Sequence, residues 1–217
     1  MTTHDTSMAS DDLTASDGRT PGRRGRATRE RLLAATADLL ATRSYREVKV
    51  VDIARAAGSS PATFYQYFSD VEAAVVVLAQ RAVEDGRSLL DAIAEADWAG
   101  RSATAASEAL VDAFLAFWYD HTAVMRVIDL AIVEGDRRFR DLRNDLLGPV
   151  TEALAAGVAA RRDDGTDPRS EAATLVSMLA HVAEHQAGLD QWGADLGNVR
   201  ASMAAHVRWG VTGRKGR

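Results

Sequence analysis

Residues 58–61, Gly-Ser-Ser-Pro, constrain this chain more than any other stretch, because they stop one helix and start another with almost nothing between. Glycine at position 58 suits the left-handed residue that closes a helix. Ser60 then offers a capping oxygen and Pro61 the fixed φ of a first helical residue. The flanking residues read as a helix from about Val50 to Ala57 and a second from Pro61 to about Phe68. Ala54 is small where the second helix must cross the first. Ile53, Phe64 and Phe68 supply an inner face. Upstream, Leu32, Ala35 and Leu39, with Leu33, Ala37 and Leu40, repeat at helical spacing and mark another helix over about 28–42. Three helices with a tight turn between the last two make a helix-turn-helix unit.

If Phe64 and Phe68 turn inward, Ser60, Ala62, Thr63, Tyr65, Gln66 and Tyr67 are left facing outward, where such a helix fits a DNA groove. Gln66 is the best placed for reading sequence, since a glutamine amide bonds bidentately to adenine N6 and N7. Net charge is −5, which by itself argues against a nucleic-acid partner, but its distribution reverses that reading. From Arg19 to Phe68 ten Lys and Arg stand against four Asp and Glu, whereas from Ser69 onward 16 bases stand against 23 acids. A basic segment on an acidic body suits a small phosphate-facing domain whose bulk faces something else. Residues 1–26, rich in Ser, Thr, Asp, Gly and Arg, read as a disordered basic arm. It carries Arg19, Arg23, Arg24 and Arg26 towards a DNA backbone or minor groove.

Hydrophobic residues make up 47% of the chain, and much of that is the strong helix former alanine, with no run of strand-like alternation. The expected class is therefore all-α. Beyond the first three helices the breakers divide the chain into segments over about 70–94, 102–120, 122–133, 139–161, 167–188 and 197–209. Asp70 and Asp167 serve as caps, and Gly148-Pro149 as a kink. There are no cysteines, which excludes disulfides and thiolate metal sites, and neither a cofactor nor a metal is expected. The first 20 residues have no apolar h-region, and stretches such as 73–79 are far too short to span a bilayer. A cytoplasmic protein with no membrane association is expected.

The run from Asp52 to Phe68, followed by a helix capped at Asp70, resembles the DNA-binding segment of the tetracycline-repressor (TetR) family. Its usual pattern, DIA-x-x-AG-[VI]-S-x-x-[TS]-[FL]-Y-x-[YH]-F, is matched in register except at Ser59, which stands where the pattern has Val or Ile. The resemblance covers about 45 residues, from Thr28 to Ala74. It implies that Thr63 and Tyr67 hold phosphates, while Pro61, Ala62, Tyr65 and Gln66 approach bases. Two positions flanking that run also depart from the family. Val71 replaces a phosphate-binding lysine, and Lys49 replaces a capping Ser or Thr. The C-terminal part resembles the family in helix count and in the stretch Gly135-Asp-Arg-Arg-Phe-Arg140, and is similar to mycobacterial repressors of a drug-activating monooxygenase.

The resemblance implies an arm over 1–26, a DNA-binding domain over 27–69, and a ligand-binding and dimerisation domain over 70–217. It further implies a homodimeric repressor that an apolar small molecule releases from a palindromic operator, or else an activator of the same family. Phe114, Phe117, Trp118, Met125 and Met178 are suited to an apolar cavity, with Asp129 and His181 among its polar anchors. Leu175, Met178, Leu179, Val182, Met203, Val207 and Trp209 are suited to a dimer interface within 167–210. One rival comes from another class. His181-Val-Ala-Glu184-His185 fits the H-x-x-E-H pattern of zinc hydrolases, which also requires a third ligand.

Overall fold

A computed structural model describes residues 22–213, and among them the regular structure is entirely helical. The elements are α1 (Arg23–Thr42), α2 (Val50–Ala56), α3 (Pro61–Tyr65), α4 (Val71–Asp85) and α5 (Arg87–Ala94), then α6 (Ser102–Val133), α7 (Arg137–Ala159), α8 (Pro168–Glu184), α9 (Gln186–Gln191) and α10 (Leu196–Thr212). A single 3-10 turn, Tyr45–Glu47, joins α1 to α2. The chain divides into two compact units. The first, called the head below, ends at Arg81 and also takes Ala123–Phe139; the second, the body, takes Ala82–Thr122 and everything from Arg140.

In the head, α1 packs on α2 and α2 on α3. Leu32, Leu33, Ile53, Ala54 and Phe64 are almost fully buried. Arg29 also turns inward, 4% exposed, with its guanidinium 5.3 Å from the centre of the Phe68 ring. It occupies the buried stripe of α1 that continues through Leu32, Leu33, Thr36 and Leu40, and its partners there include the Phe68 ring and the Glu30 carboxylate at 3.9 Å. Asp70 accepts from the Ala73 N–H at 2.7 Å and caps α4. Glu30 of α1 receives both terminal nitrogens of Arg81 of α4 at 2.7 Å. That pairing holds the Glu30 carboxyl below its ordinary range.

The body is held by close helix pairing. At Gly210 of α10 an added Cβ would lie 2.7 Å from both Glu171 and Leu175 of α8, so these helices meet where a side chain is missing. Arg162 closes the same corner by donating to the Gly210 carbonyl at 2.9 Å and pairing with Asp164 at 2.8 Å. Its hydrogen bonds push the Asp164 carboxyl well down. Arg200 of α10 grips both carboxylate oxygens of Asp112 on α6, at 2.5 and 2.6 Å.

Several boundaries differ from the sequence expectation, each for a local reason. Helix α1 begins at Arg23, not near Thr28, so Arg23, Arg24 and Arg26 sit on a helix instead of an arm. Gly22 is extended at the N-cap, and its carbonyl accepts from the Arg26 N–H at 3.0 Å. Gly25 in the first turn costs only about 1 kcal/mol, which the helix-favouring arginines offset. The rest of the expected arm, including Arg19, lies outside the described residues. The expected helix over 70–94 is two helices, broken at Gly86, against which Leu146 of α7 packs. The two segments expected over 102–133 are one helix. Thr122, where the second segment was expected to begin, bonds back to the Trp118 carbonyl at 2.5 Å. Helix α7 begins at Arg137 and not at Phe139, and the helix expected to reach Gly188 ends at Glu184.

Candidate nucleic-acid interface and ligand core

The turn between α2 and α3 is built as its residues require. Gly58 has φ +61°, a conformation that costs an L-residue roughly 1–2 kcal/mol. The Ser59 N–H then bonds back to the Ala54 carbonyl at 2.8 Å, tying the turn to the crossing point. The Ser60 hydroxyl accepts from the Thr63 N–H at 3.1 Å and lies 3.0 Å from the Thr63 hydroxyl. Phe64 and Phe68 meet at 5.4 Å, while Tyr65 stands edge-on to Phe64 and is 54% exposed.

One exposed surface therefore gathers Ser60, Pro61, Ala62, Tyr65 and Gln66, with Thr63 and Tyr67 half-buried at its edges. Lys49 is exposed at the N-cap of α2, and Arg23, Arg24 and Arg26 are exposed along the start of α1. Two further cations escaped the sequence reading in their actual roles. Arg43 and Arg55 flank Asp52 at 3.7 and 3.9 Å, so part of the positive charge counted for this segment is already neutralised. No local pattern pairs residue 43 with residue 52; the fold does.

The ligand set expected from sequence is only partly assembled in one place. Phe114, Phe117 and Trp118 form one cluster in the body. Trp118 stacks on Phe114 at 5.5 Å and 10°, meets Phe117 edge-on at 5.1 Å, and is 1% exposed. Phe117 also touches His121 at 4.7 Å, and His121 reaches Asp85 at 3.5 Å. The Trp118 indole N–H is buried and meets no acceptor among the described residues. Met125 and Asp129 belong to the head, Met125 fully buried and Asp129 half-buried. Met178 is half-buried on α8, and His181 is exposed. The His181 and His185 rings stack at 4.2 Å, but no group of three His, Asp or Glu suited to a metal forms among the described residues. The zinc-hydrolase motif thus lacks its third ligand there. Of the residues expected at a dimer interface, Leu175, Leu179, Met203 and Val207 are buried within the chain itself, leaving Met178, Val182 and Trp209 at least partly accessible.

A helix-turn-helix with an exposed reading face, joined to a body of packed helices, defines a DNA-binding transcriptional regulator. Known proteins agree with that class. Residues 32–75 match "Bacterial regulatory proteins, tetR family", and residues 89–217 match "Tetracyclin repressor-like, C-terminal domain". The HTH-type transcriptional regulator EthR of Mycolicibacterium smegmatis is 31% identical over 192 residues, covering 81% of this chain and 87% of that protein. The chain belongs to the TetR family of transcriptional regulators. Its fold is also that of the fatty acid degradation regulator FadR from Bacillus halodurans, with TM-score 0.63, 17% identity, and 88% and 97% of the two chains covered. FadR from Bacillus subtilis in complex with stearoyl-CoA gives TM-score 0.64 at 17% identity over 85% and 98%. A TetR-family regulator from Streptomyces coelicolor gives 0.64 at 19% identity over 84% and 79%. No helix among the described residues is long and apolar enough to cross a membrane.

Proposed function

We propose that this regulator is a repressor that acts as a homodimer on a palindromic operator and leaves it when an apolar small molecule enters the body. The observation that carries the ligand reading is the buried N–H of Trp118. An unmet donor inside a core costs about 1–3 kcal/mol, and a ligand that brings an acceptor recovers it. Phe114 and Phe117 supply the apolar wall around that donor. The stearoyl-CoA held by the Bacillus subtilis FadR structure, a long acyl chain with a carbonyl, has both chemistries.

In each protomer α3 enters a major groove. Gln66 and Tyr65 approach bases, Thr63 and Tyr67 hold phosphates, and Lys49 and the arginines at positions 23, 24 and 26 add backbone contacts. The outer faces of α8 and α10, with Met178, Val182 and Trp209, pair the protomers. Operator symmetry then mirrors protein symmetry. Helix α6 carries Phe114 to Trp118 in the body and continues unbroken into the head. A ligand that displaces it biases the reading helices, by no more than its differential affinity for the two states.

Operators recovered by genome-wide footprinting test this in gel shifts against a panel of apolar compounds. Compounds with a carbonyl should release the native protein at about tenfold lower concentration than they release Trp118→Phe, which keeps the ring but loses the donor. Equal response of the two proteins, or release by no compound, removes the ligand reading. Sedimentation as a monomer at micromolar concentration removes the dimer.

A further inference from the structure

The end of α1 and one stripe of α6 enclose a cleft of about 390 Å³ within the head, lined by none of the residues assigned above to DNA or ligand. Leu40, Ala41, Ala123, Val127 and Leu130 supply its apolar lining. The four α6 residues, Ala123, Arg126, Val127 and Leu130, recur at helical spacing and form a single wall. Arg43, Tyr45 and Arg126 add polar groups.

The electrostatics of the cleft are one-sided. No Asp or Glu lines it. Asp52 and Glu134, the acids that pair with this segment, are engaged with Arg43 and Arg46 and lie outside the lining. Arg126 is exposed on α6 and has no carboxylate partner among the described residues. The C-terminus of α1 opposes an anion, but only as about half a charge set against the full charge of Arg126. A cleft whose lining mixes polar groups with a few aliphatic side chains, and which holds an uncommitted guanidinium, selects an amphipathic anion. The planar fork of Arg126 matches a carboxylate, and the aliphatic wall takes a short chain. A neutral ligand would leave the guanidinium uncompensated, and a bare inorganic phosphate would leave the apolar wall uncovered.

We propose that this cleft between α1 and α6 is a binding site for a small organic monocarboxylate, held by Arg126. The volume lies at the small end for ligand pockets and suits a chain of about eight carbons. The site stands apart from the aromatic core of the body and does not depend on it.

Calorimetry with octanoate, kept below its micelle concentration, and with octan-1-ol tests the charge requirement on the full chain. Octanoate should bind at least about tenfold more tightly, because a hydrogen bond to a charged partner contributes that much. Arg126→Gln should weaken octanoate by about tenfold while operator binding and melting temperature stay unchanged, and Arg126→Lys should retain part of the affinity. A photoreactive diazirine analogue of octanoate should label peptides containing residues 40–45 or 123–130. Equal binding of acid and alcohol, an unchanged affinity in Arg126→Gln, or labelling confined to other peptides would overturn the assignment.

Discussion

The helix-turn-helix and the middle of α6 use aromatic residues to opposite ends. In the head Phe64 is fully buried while its neighbour Tyr65 is half exposed, so one short helix has a packing face and a reading face. In the body Phe114, Phe117 and Trp118 are all within 5% of complete burial, and nothing aromatic in that cluster is left outside. The first arrangement suits a rigid, flat partner that a surface can meet. The second suits a partner small enough to be surrounded. On the proposed reading, specificity in the head lies on an exterior that can be changed without unfolding, and in the body within an interior that cannot.

The sharpest test of that contrast is truncation. Phe64→Ala and Trp118→Ala should each cost about 3–5 kcal/mol in urea unfolding, as large aromatic deletions from a core do. Tyr65→Ala and Gln66→Ala should change stability by less than about 0.5 kcal/mol. They should nonetheless weaken operator binding by about 1–3 kcal/mol, the value of a good base contact. If Tyr65→Ala unfolds the head as Phe64→Ala does, the two faces of α3 are not separable and the contrast fails.

Charge gives the next largest effect. Replacing Arg23, Arg24 and Arg26 with alanine should flatten the dependence of log affinity on log salt by about 0.9 for every phosphate that is no longer neutralised. The same measurement on Arg200→Ala, whose charge is spent on Asp112 in the body, should leave the slope alone. Slopes that do not differ would leave Lys49 as the cation that holds phosphate.

Glycine substitutions should have opposite signs in the two regions. Gly58→Ala places a side chain at φ +61° and should cost about 1–2 kcal/mol. Gly157→Ala lies inside α7, where the new Cβ meets the Trp98 indole at 3.7 Å, an ordinary contact. Thermal unfolding should show it stabilising by about 0.5–1 kcal/mol.

The smallest expected effect is in acid. Because Arg81 holds the Glu30 carboxyl below its ordinary value, the pair contributes above about pH 4.3 and its contribution is lost as pH falls through the lower folded value. Glu30→Gln should remove that part of the acid sensitivity, at a cost below about 1 kcal/mol at neutral pH because the pair is partly exposed. A mutant more than about 1 kcal/mol less stable at neutral pH would mean that the pair matters more than a surface ion pair should.

Much of the head was legible in the amino-acid order, because its signals are local. Gly58, Ser60 and Pro61 fix a turn and a cap within four residues. The spacing of Ile53, Phe64 and Phe68 fixes which face is buried. The helical class and the caps at Asp70 and Asp167 follow from propensity and short-range hydrogen bonds in the same way. What sequence could not decide was anything set by distant partners. The break at Gly86 goes with the packing of Leu146, sixty residues on. The continuity of α6 past His121 was invisible because Thr122 can either cap a new helix or bond back into an old one, and only the surrounding packing chooses. The burial of Leu175, Leu179, Met203 and Val207 within the chain, rather than at a dimer face, depends on α8 and α10 meeting at Gly210. The cleft beside Arg126 belongs to the same class, since residues 40–45 and 123–130 become neighbours only when the chain folds. Local hydrogen bonding and side-chain periodicity act over one or two turns, so sequence alone determines them; burial and charge pairing act through space, and the tertiary structure decides them.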